Sequence, residues 1–157
     1  MEVSVLDGSL GGRVGYQLKR AQHALRLEMD GALRGVGITT PRYAALSVLE
    51  EEPGVSGAEL ARRCFVTPQT MNGILAKLED VGLVERGPHP EHGRVLRAYL
   101  TERGAERVGR AHEIVEAIEE HMLSRLGEDE RLKLANTLRG CADSLGASPG
   151  GMKARAR

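Results

Sequence analysis

The sequence predicts a mainly α-helical fold with one small β-hairpin. Over most of the 157 residues, apolar side chains recur at intervals of three and four, the spacing that places them on one face of a helix. Between about residues 82 and 101 this spacing gives way to two short strand-like runs around a loop that contains Pro and Gly. A hairpin that interrupts a helical chain predicts a central lobe flanked by two helical arms.

The composition is that of an ordinary globular domain, with 41% hydrophobic and 28% charged residues. The N-terminal stretch MEVSVLDGSL lacks the features of a signal peptide, and no apolar run approaches the ~18 residues that a membrane span requires. We therefore expect a cytoplasmic protein with no membrane partner. Cys64 and Cys141 form no CxxC pair, so each is interpreted as a buried, small apolar side chain.

Charge is balanced in total but not in its distribution. The 22 Lys and Arg residues match the 22 Asp and Glu residues. Residues 10–48 hold six basic and two acidic residues, whereas residues 111–145 hold four basic and eight acidic residues. One part of the molecule is therefore expected to present positive potential to an anionic partner.

The N-terminal arm is predicted as one helix over about residues 11–34. Glycines follow it, and residues 11–37 are taken as the N-terminal arm after a flexible segment, residues 1–10. A second helix is predicted from Thr40, as its cap, and Pro41, at its first helical position, to the EEEPG break. The apolar face of the first helix consists of Val14, Leu18, Ala21, Leu25, Met29 and Leu33.

Two short helices with a tight turn between them are predicted next. Ser56 and Glu59 have the spacing of a capping box that opens the first of them. Thr67 and Pro68 are suited to begin the second, which Gly82 ends. This pattern is typical of a helix-turn-helix. The predicted inward stripe of the second helix consists of Met71, Ile74, Leu75, Leu78 and Val81.

The strand-like runs GLVERGP and RVLRAYLT follow directly, and Thr101 is placed to start another helix. Helix, turn, helix and hairpin is the order of a winged helix, predicted here over residues 38–101. Helical spacing then continues to about Leu126 and resumes to Leu145 within a second arm, residues 102–146. Residues 147–157 are predicted as a disordered basic tail. Because a lobe of ~65 residues has a thin core, we expect the arms to pair in a homodimer.

The polar face of the second short helix is predicted to read the major groove of duplex DNA. Gln and Asn side chains can hydrogen-bond adenine, Thr can contact a thymine methyl group, and Gly permits close approach. The alternative is a solvated helix face. The candidate residues are Thr67, Pro68, Gln69, Thr70, Asn72, Gly73 and Lys77.

Arginines elsewhere in the lobe suit the DNA backbone. Arg94 in the hairpin is predicted to enter a minor groove, although its charge could merely solubilise the hairpin. Arg97 has two alternative roles, a phosphate contact or a place at the strand edge. Arg62, Arg63 and Arg86 are candidate phosphate contacts.

The stretch LEDVGLVERGPHPEHGRVLRAYLTERG, residues 78–104, resembles the MarR family of transcription regulators. The matching features are Leu78-Glu79, the Gly-Leu-Val-x-Arg run ending at Arg86, the tip Arg94 and Leu-Thr-x-x-Gly ending at Gly104. The resemblance covers about residues 12–145. It implies a homodimeric repressor on a pseudo-palindromic operator, with half-sites ~10 bp apart, that a small-molecule effector or another signal releases.

The resemblance also implies an effector pocket between the arms and the lobe. Its candidate residues include a phenol, an imidazole and a guanidinium, and packing or surface roles are the alternative for each. They are Tyr16, His23, Arg42, Tyr43 and His112.

His89 and His92 stand where the family commonly has aspartate. Two histidines do not complete a metal site, and neither a metal nor another cofactor is predicted. One hypothesis is that protonation of these histidines near pH ~6.5 adds positive charge to the wing and tightens DNA binding. No carboxylate pair, Cys–His arrangement or phosphate loop indicates an enzyme. The alternatives to a ligand-released repressor are a metal- or redox-responsive regulator and a winged-helix scaffold that binds protein instead of DNA.

Overall fold

A computed structural model describes residues 8–88, 91, 93 and 96–146. The predicted wing-tip residues His89, His92 and Arg94 lie outside the described residues, as do residues 1–7 and the predicted tail, residues 147–157. The described residues form two compact units, which divide between Ile118 and Glu119.

The described residues form six helices and a two-stranded antiparallel hairpin, which confirms the predicted mainly α-helical, winged-helix architecture. The predicted long helix from Thr101 to Leu126 is shorter than expected, because it ends at Met122 and a turn follows. The elements in chain order are α1 (Val14–Arg34), α2 (Thr40–Glu51), α3 (Gly57–Arg63), α4 (Pro68–Asp80), β1 (Val84–Pro88), β2 (Leu96–Leu100), α5 (Glu102–Met122) and α6 (Glu128–Ser144).

Side-chain caps fix the starts of three helices, as predicted. The Ser56 hydroxyl accepts a hydrogen bond from the Glu59 amide at 3.3 Å, and the Thr67 hydroxyl accepts one from the Thr70 amide at 3.1 Å. The Thr101 hydroxyl accepts from the Gly104 amide at 3.0 Å. Each cap satisfies an amide that the first helical turn leaves without a partner.

Two predictions about helix starts were wrong in detail. Thr40 is not the cap of α2 but its first residue, and its hydroxyl donates a 2.5 Å hydrogen bond to the Asp30 carboxylate of α1. The capping box of α3 is half formed, because the Glu59 side chain accepts hydrogen bonds from Arg62. A guanidinium one turn away competes successfully for that carboxylate.

The hairpin meets α5 at a close contact between backbones. The strands pair in register from Val84 with Leu100 to Pro88 with Leu96. A Cβ atom added to Gly104 would lie 2.0 Å from the Leu83 carbonyl oxygen. A side chain at position 104 would therefore force the hairpin and α5 apart.

The buried core lies in the first unit and draws on both the lobe and the adjoining ends of the arms. Leu33 of α1 and Val108 and Ala111 of α5 are fully buried in it. The remaining core residues are Ile38, Ala45, Leu46, Leu49, Val55, Leu60, Ala61, Met71, Leu75, Leu78, Leu83, Val84 and Ala98.

The second unit joins the end of α5 to α6 through Arg131. Its guanidinium donates to the Glu120 carboxylate at 2.7 Å and to the Leu123 and Leu126 carbonyls at 3.2 and 3.1 Å. No described residue of α6 is buried. The prediction that Cys141 is buried was therefore wrong for this chain, because nothing described packs on its helical face.

No described helix is both long and apolar enough to cross a membrane.

Candidate DNA-binding surface

Helix α4 is anchored to the lobe by one face and exposed along the other. Met71, Leu75 and Leu78 are buried, and their spacing of four and three fixes the rotation of the helix about its axis. The seven candidate major-groove residues lie off this buried stripe, and all seven are exposed to solvent. These are Thr67, Pro68, Gln69, Thr70, Asn72, Gly73 and Lys77.

The turn between α3 and α4 contains a residue that was not singled out from the sequence. Phe65 has a positive φ of 57° and is 86% exposed. Its amide donates to the Arg62 carbonyl at 3.3 Å, and the Val66 amide donates to the Ala61 carbonyl at 3.0 Å. This pair of bonds closes a helix end in the way that usually employs glycine. A lone Phe in a polar turn was the signal in the sequence.

Two candidate phosphate contacts are already paired with carboxylates. Arg62 donates to Glu59, with one hydrogen bond of 2.9 Å, and this bond holds the pKa of the Glu59 carboxyl below its ordinary value. Arg86 donates to Glu79 at 2.9 Å. A DNA phosphate at either position would have to share or replace a carboxylate, so their roles in DNA binding stay predictions.

The third candidate, Arg63, bridges two carboxylates at the end of α2. Its guanidinium lies 2.7 Å from Glu51 and 3.0 Å from Glu52. The pairing ties the end of α3 to the end of α2. Here too the predicted phosphate contact stays a prediction.

Arg97 lies in β2, where its guanidinium donates to the Gly54 carbonyl at 3.2 Å. Its Nε atom is buried and has no hydrogen-bond partner among the described residues. The side chain is thus held against the loop between α2 and α3, which is the strand-edge role considered from the sequence. A phosphate contact by Arg97 stays a prediction.

Two of the five candidate effector residues meet in the structure. The Tyr43 hydroxyl lies 2.9 Å from His112 Nδ1, and His112 Nε2 lies 2.6 Å from the Glu50 carboxylate. The chain of contacts joins α2 to α5. Tyr16 and His23 lie exposed on α1, apart from this group.

A cavity of about 230 Å³ lies at the C-terminal end of α4. Its apolar wall includes Leu78 and Leu83, while Arg103 and Arg107 of α5 add positive charge. Arg107 donates to the Val36 carbonyl at 2.9 Å. The full lining consists of Gly37, Ile38, Arg42, Leu78, Val81, Leu83, Arg103 and Arg107.

The arginines of this cavity have no acidic partner in the part of the chain that the structure describes. Among the described residues, Arg42, Arg103 and Arg107 form no salt bridge. Arg42 was identified from the sequence but the other two were not, although their i, i+4 spacing on α5 places them on one helical face. An unpaired cluster of guanidiniums beside an apolar wall suits an organic anion.

The Cys64 thiol and the described metal-ligating groups give little support to a redox signal at Cys64 or to a metal signal. Burial raises the pKa of the Cys64 thiol to about 11, which disfavours the reactive thiolate. Within the described part of the chain, no three His, Cys, Asp or Glu side chains are grouped so that they could hold a metal ion.

Comparisons with known proteins agree with this architecture. A model of the MarR family matches residues 36–95. The HTH-type transcriptional repressor Rv2887 of Mycobacterium tuberculosis is 45% identical over 113 residues, which are 72% of this chain and 81% of the relative. Two crystal structures of Rv2887 are similar to this chain. The complex with salicylic acid has a TM-score of 0.69 and 39% identity, covering 86% of this chain and 98% of the other.

The complex of Rv2887 with DNA has a TM-score of 0.68 and 38% identity, covering 85% of this chain and 97% of the other. Shared sequence and shared fold thus extend over the helices as well as the lobe. The chain belongs to the MarR family of winged helix-turn-helix regulators.

Proposed function

We propose that this protein is a homodimeric transcription repressor that binds duplex DNA through α4 and is released by a small organic anion. The observation that carries the DNA-binding part is the exposed polar face of α4 opposite a buried apolar stripe. A helix held in this way can enter a major groove without disturbing the core. The similarity to Rv2887, a repressor with a DNA complex, supports the same function.

Different side chains of α4 are proposed to make different contacts with DNA. Gln69 and Asn72 offer amides that can hydrogen-bond the edge of adenine, and Thr70 offers a methyl group to thymine. Gly73 leaves room for a base pair, while Lys77 suits a phosphate. Arg94 of the wing, outside the described residues, is proposed to enter the adjoining minor groove.

The homodimer is supported by apolar side chains that each unit leaves exposed. A helix face of this kind is stable in water when another apolar surface covers it. Two lobes related by symmetry would then meet half-sites ~10 bp apart in a pseudo-palindromic operator. The exposed apolar side chains in and beside the helical arms are Leu10, Val14, Tyr16, Leu18 and Leu27 in the first unit and Met122, Leu132, Leu134, Leu138 and Leu145 in the second.

The effector is proposed to bind in the cavity at the end of α4. A carboxylate would meet Arg42 and Arg103, and an apolar body would lie against Leu78 and Leu83. The complex of Rv2887 with salicylic acid supports an aromatic carboxylate as the class of ligand. Because Leu78 belongs to α4, a ligand in the cavity can shift this helix and lower the affinity for DNA.

The experiment begins with duplexes that the protein selects from a random pool. Fluorescence anisotropy should give an affinity for them that falls steeply with salt, and benzoate should release the duplex while the uncharged isostere benzamide should not. A protein that binds no duplex in a salt-dependent way would support the scaffold alternative. Release by both compounds would refute the anion site.

A further inference from the structure

Phe65 combines two features that a turn normally avoids. Its φ of 57° lies in the left-handed region, which is unfavourable for a bulky side chain. Its ring is 86% exposed, so it gains almost nothing from burial. Glycine at this position would relieve the backbone and remove an apolar group from water.

The lobe itself does not explain the ring. The hydrogen bonds that close α3 use the backbone amides of Phe65 and Val66, and any residue able to adopt a positive φ could make them. The ring therefore contributes little to the turn that it occupies. A bulky apolar group kept in a strained, exposed place indicates contact with another molecule.

The place of Phe65 in the chain indicates which molecule this is. Phe65 is two residues before Thr67, the cap of α4, and follows the last turn of α3, which contains Arg62 and Arg63. The exposed face of α4 begins at Thr67 and continues through Gln69 and Thr70. Phe65 thus lies in the turn that leads directly into the surface that is proposed to read DNA.

We propose that the Phe65 ring packs against a thymine methyl group at the edge of the major groove, beside the bases that α4 reads. The C5 methyl of thymine is the apolar feature of that groove, and phenylalanine is among the side chains that contact it. Burying both groups removes apolar surface from water. The inference rests on the proposed DNA binding and adds a sequence-selecting interaction from the turn.

The first test separates stability from binding. Phe65→Gly and Phe65→Asn both remove the ring and both tolerate a positive φ. We expect their thermal unfolding midpoints to equal or exceed that of the wild type. Affinity for a duplex selected by the wild-type protein should fall about tenfold, because the ring no longer covers a methyl group in either half-site. The dependence on salt should not change, because no charge is removed.

The second test locates the interaction on the DNA. In the selected duplex, each thymine is replaced in turn by deoxyuridine, which lacks only the methyl group. The wild type should bind about fourfold more weakly when one such position per half-site is replaced. In Phe65→Gly, replacing the thymine at that position should no longer change the affinity, whereas replacements at the other positions should weaken binding as they do in the wild type. Equal affinity of wild type and variant, or identical deoxyuridine profiles, would overturn the proposal.

The two proposals fail in different ways. If the wild-type protein selects no duplex, the proposed function fails before Phe65 is tested. If the wild type binds and Phe65→Gly binds equally well, DNA binding stands and the ring has another partner.

Discussion

The two ends of α4 differ in what they offer to other molecules. At its reading end, residues 67–73, the helix is capped, polar and exposed, with Met71 as its buried anchor. At its cavity end, residues 78–80 and the turn that follows them, Leu78 and Leu83 are buried beside the guanidiniums of Arg103 and Arg107. A helix of 13 residues separates these ends by about 20 Å. A ligand at one end can thus act on DNA at the other without touching it.

The arginines around α4 divide into paired and unpaired ones. Arg62, at the end of α3, is paired with Glu59, and Arg86 of β1 is paired with Glu79 in the last turn of α4. Arg103, at the cavity end, forms no salt bridge among the described residues. Paired arginines weaken attraction to DNA of any sequence, whereas unpaired ones keep their charge available to a small anion.

The largest effect is expected at the joint between the hairpin and α5. Gly104→Ala would place a methyl group against the Leu83 carbonyl, next to the cavity, and should lower the free energy of unfolding by about 3 kcal/mol. Urea denaturation measures the change. Gly109→Ala on the same helix, where a Cβ meets nothing within 4 Å, should be neutral or stabilising. Equal destabilisation in both variants would contradict the close approach of the backbones.

The next effect separates the two ends of α4 directly. Arg103→Ala should weaken benzoate binding about tenfold or more, since a charged hydrogen-bonding partner is removed, and should leave operator affinity without benzoate unchanged. Calorimetry and anisotropy measure the two quantities. Arg110→Ala is the matched control, because Arg110 is on α5 but does not line this cavity. A benzoate affinity insensitive to Arg103 would show that the anion does not bind in this cavity.

A smaller effect is expected from Arg86 of the hairpin, a candidate phosphate contact. Arg86→Ala should reduce affinity for all duplexes alike and lower the slope of log affinity against log salt by about 1. Glu79→Gln, which frees Arg86 from its carboxylate, should act in the opposite direction. If both variants keep the wild-type slope, Arg86 does not contact phosphate.

The smallest effect is expected at Cys64. Because burial raises the pKa of its thiol to about 11, iodoacetamide at mildly alkaline pH should modify it roughly 100-fold more slowly in the folded protein than in urea. Peptide mass mapping over time measures both rates. Peroxide should not change the operator affinity of the wild type, and it should not change that of Cys64→Ser. Rapid modification of Cys64 in the folded protein would show that its thiol is reactive and would favour a redox-responsive regulator.

Local features of the sequence predicted most of the fold. Caps at Ser56, Thr67 and Thr101 and the helical spacing of apolar residues act within a few positions, so they can be recognised without tertiary information. The exposed face of α4 followed from the same spacing. The start of α2 was misplaced because Thr40 bonds to Asp30 on another helix.

The cavity and the charge pairs were beyond local reasoning. Arg42 and Arg103 come from different helices and meet only because the lobe folds. The pairing of Arg63 with Glu51 and Glu52 likewise joins two helices. The exposure of Cys141 depends on whether another surface covers α6, which spacing on one helix does not indicate.

The central claim is that the reading end of α4 selects bases. The most direct measurement is the ratio of affinities for the selected duplex and for duplexes with single base-pair changes, in the wild type and in Gln69→Ala, with Lys133→Ala as a control on α6. We predict that Gln69→Ala reduces discrimination roughly tenfold at one position in each half-site while Lys133→Ala keeps the wild-type profile. Identical profiles for all three proteins would contradict the claim.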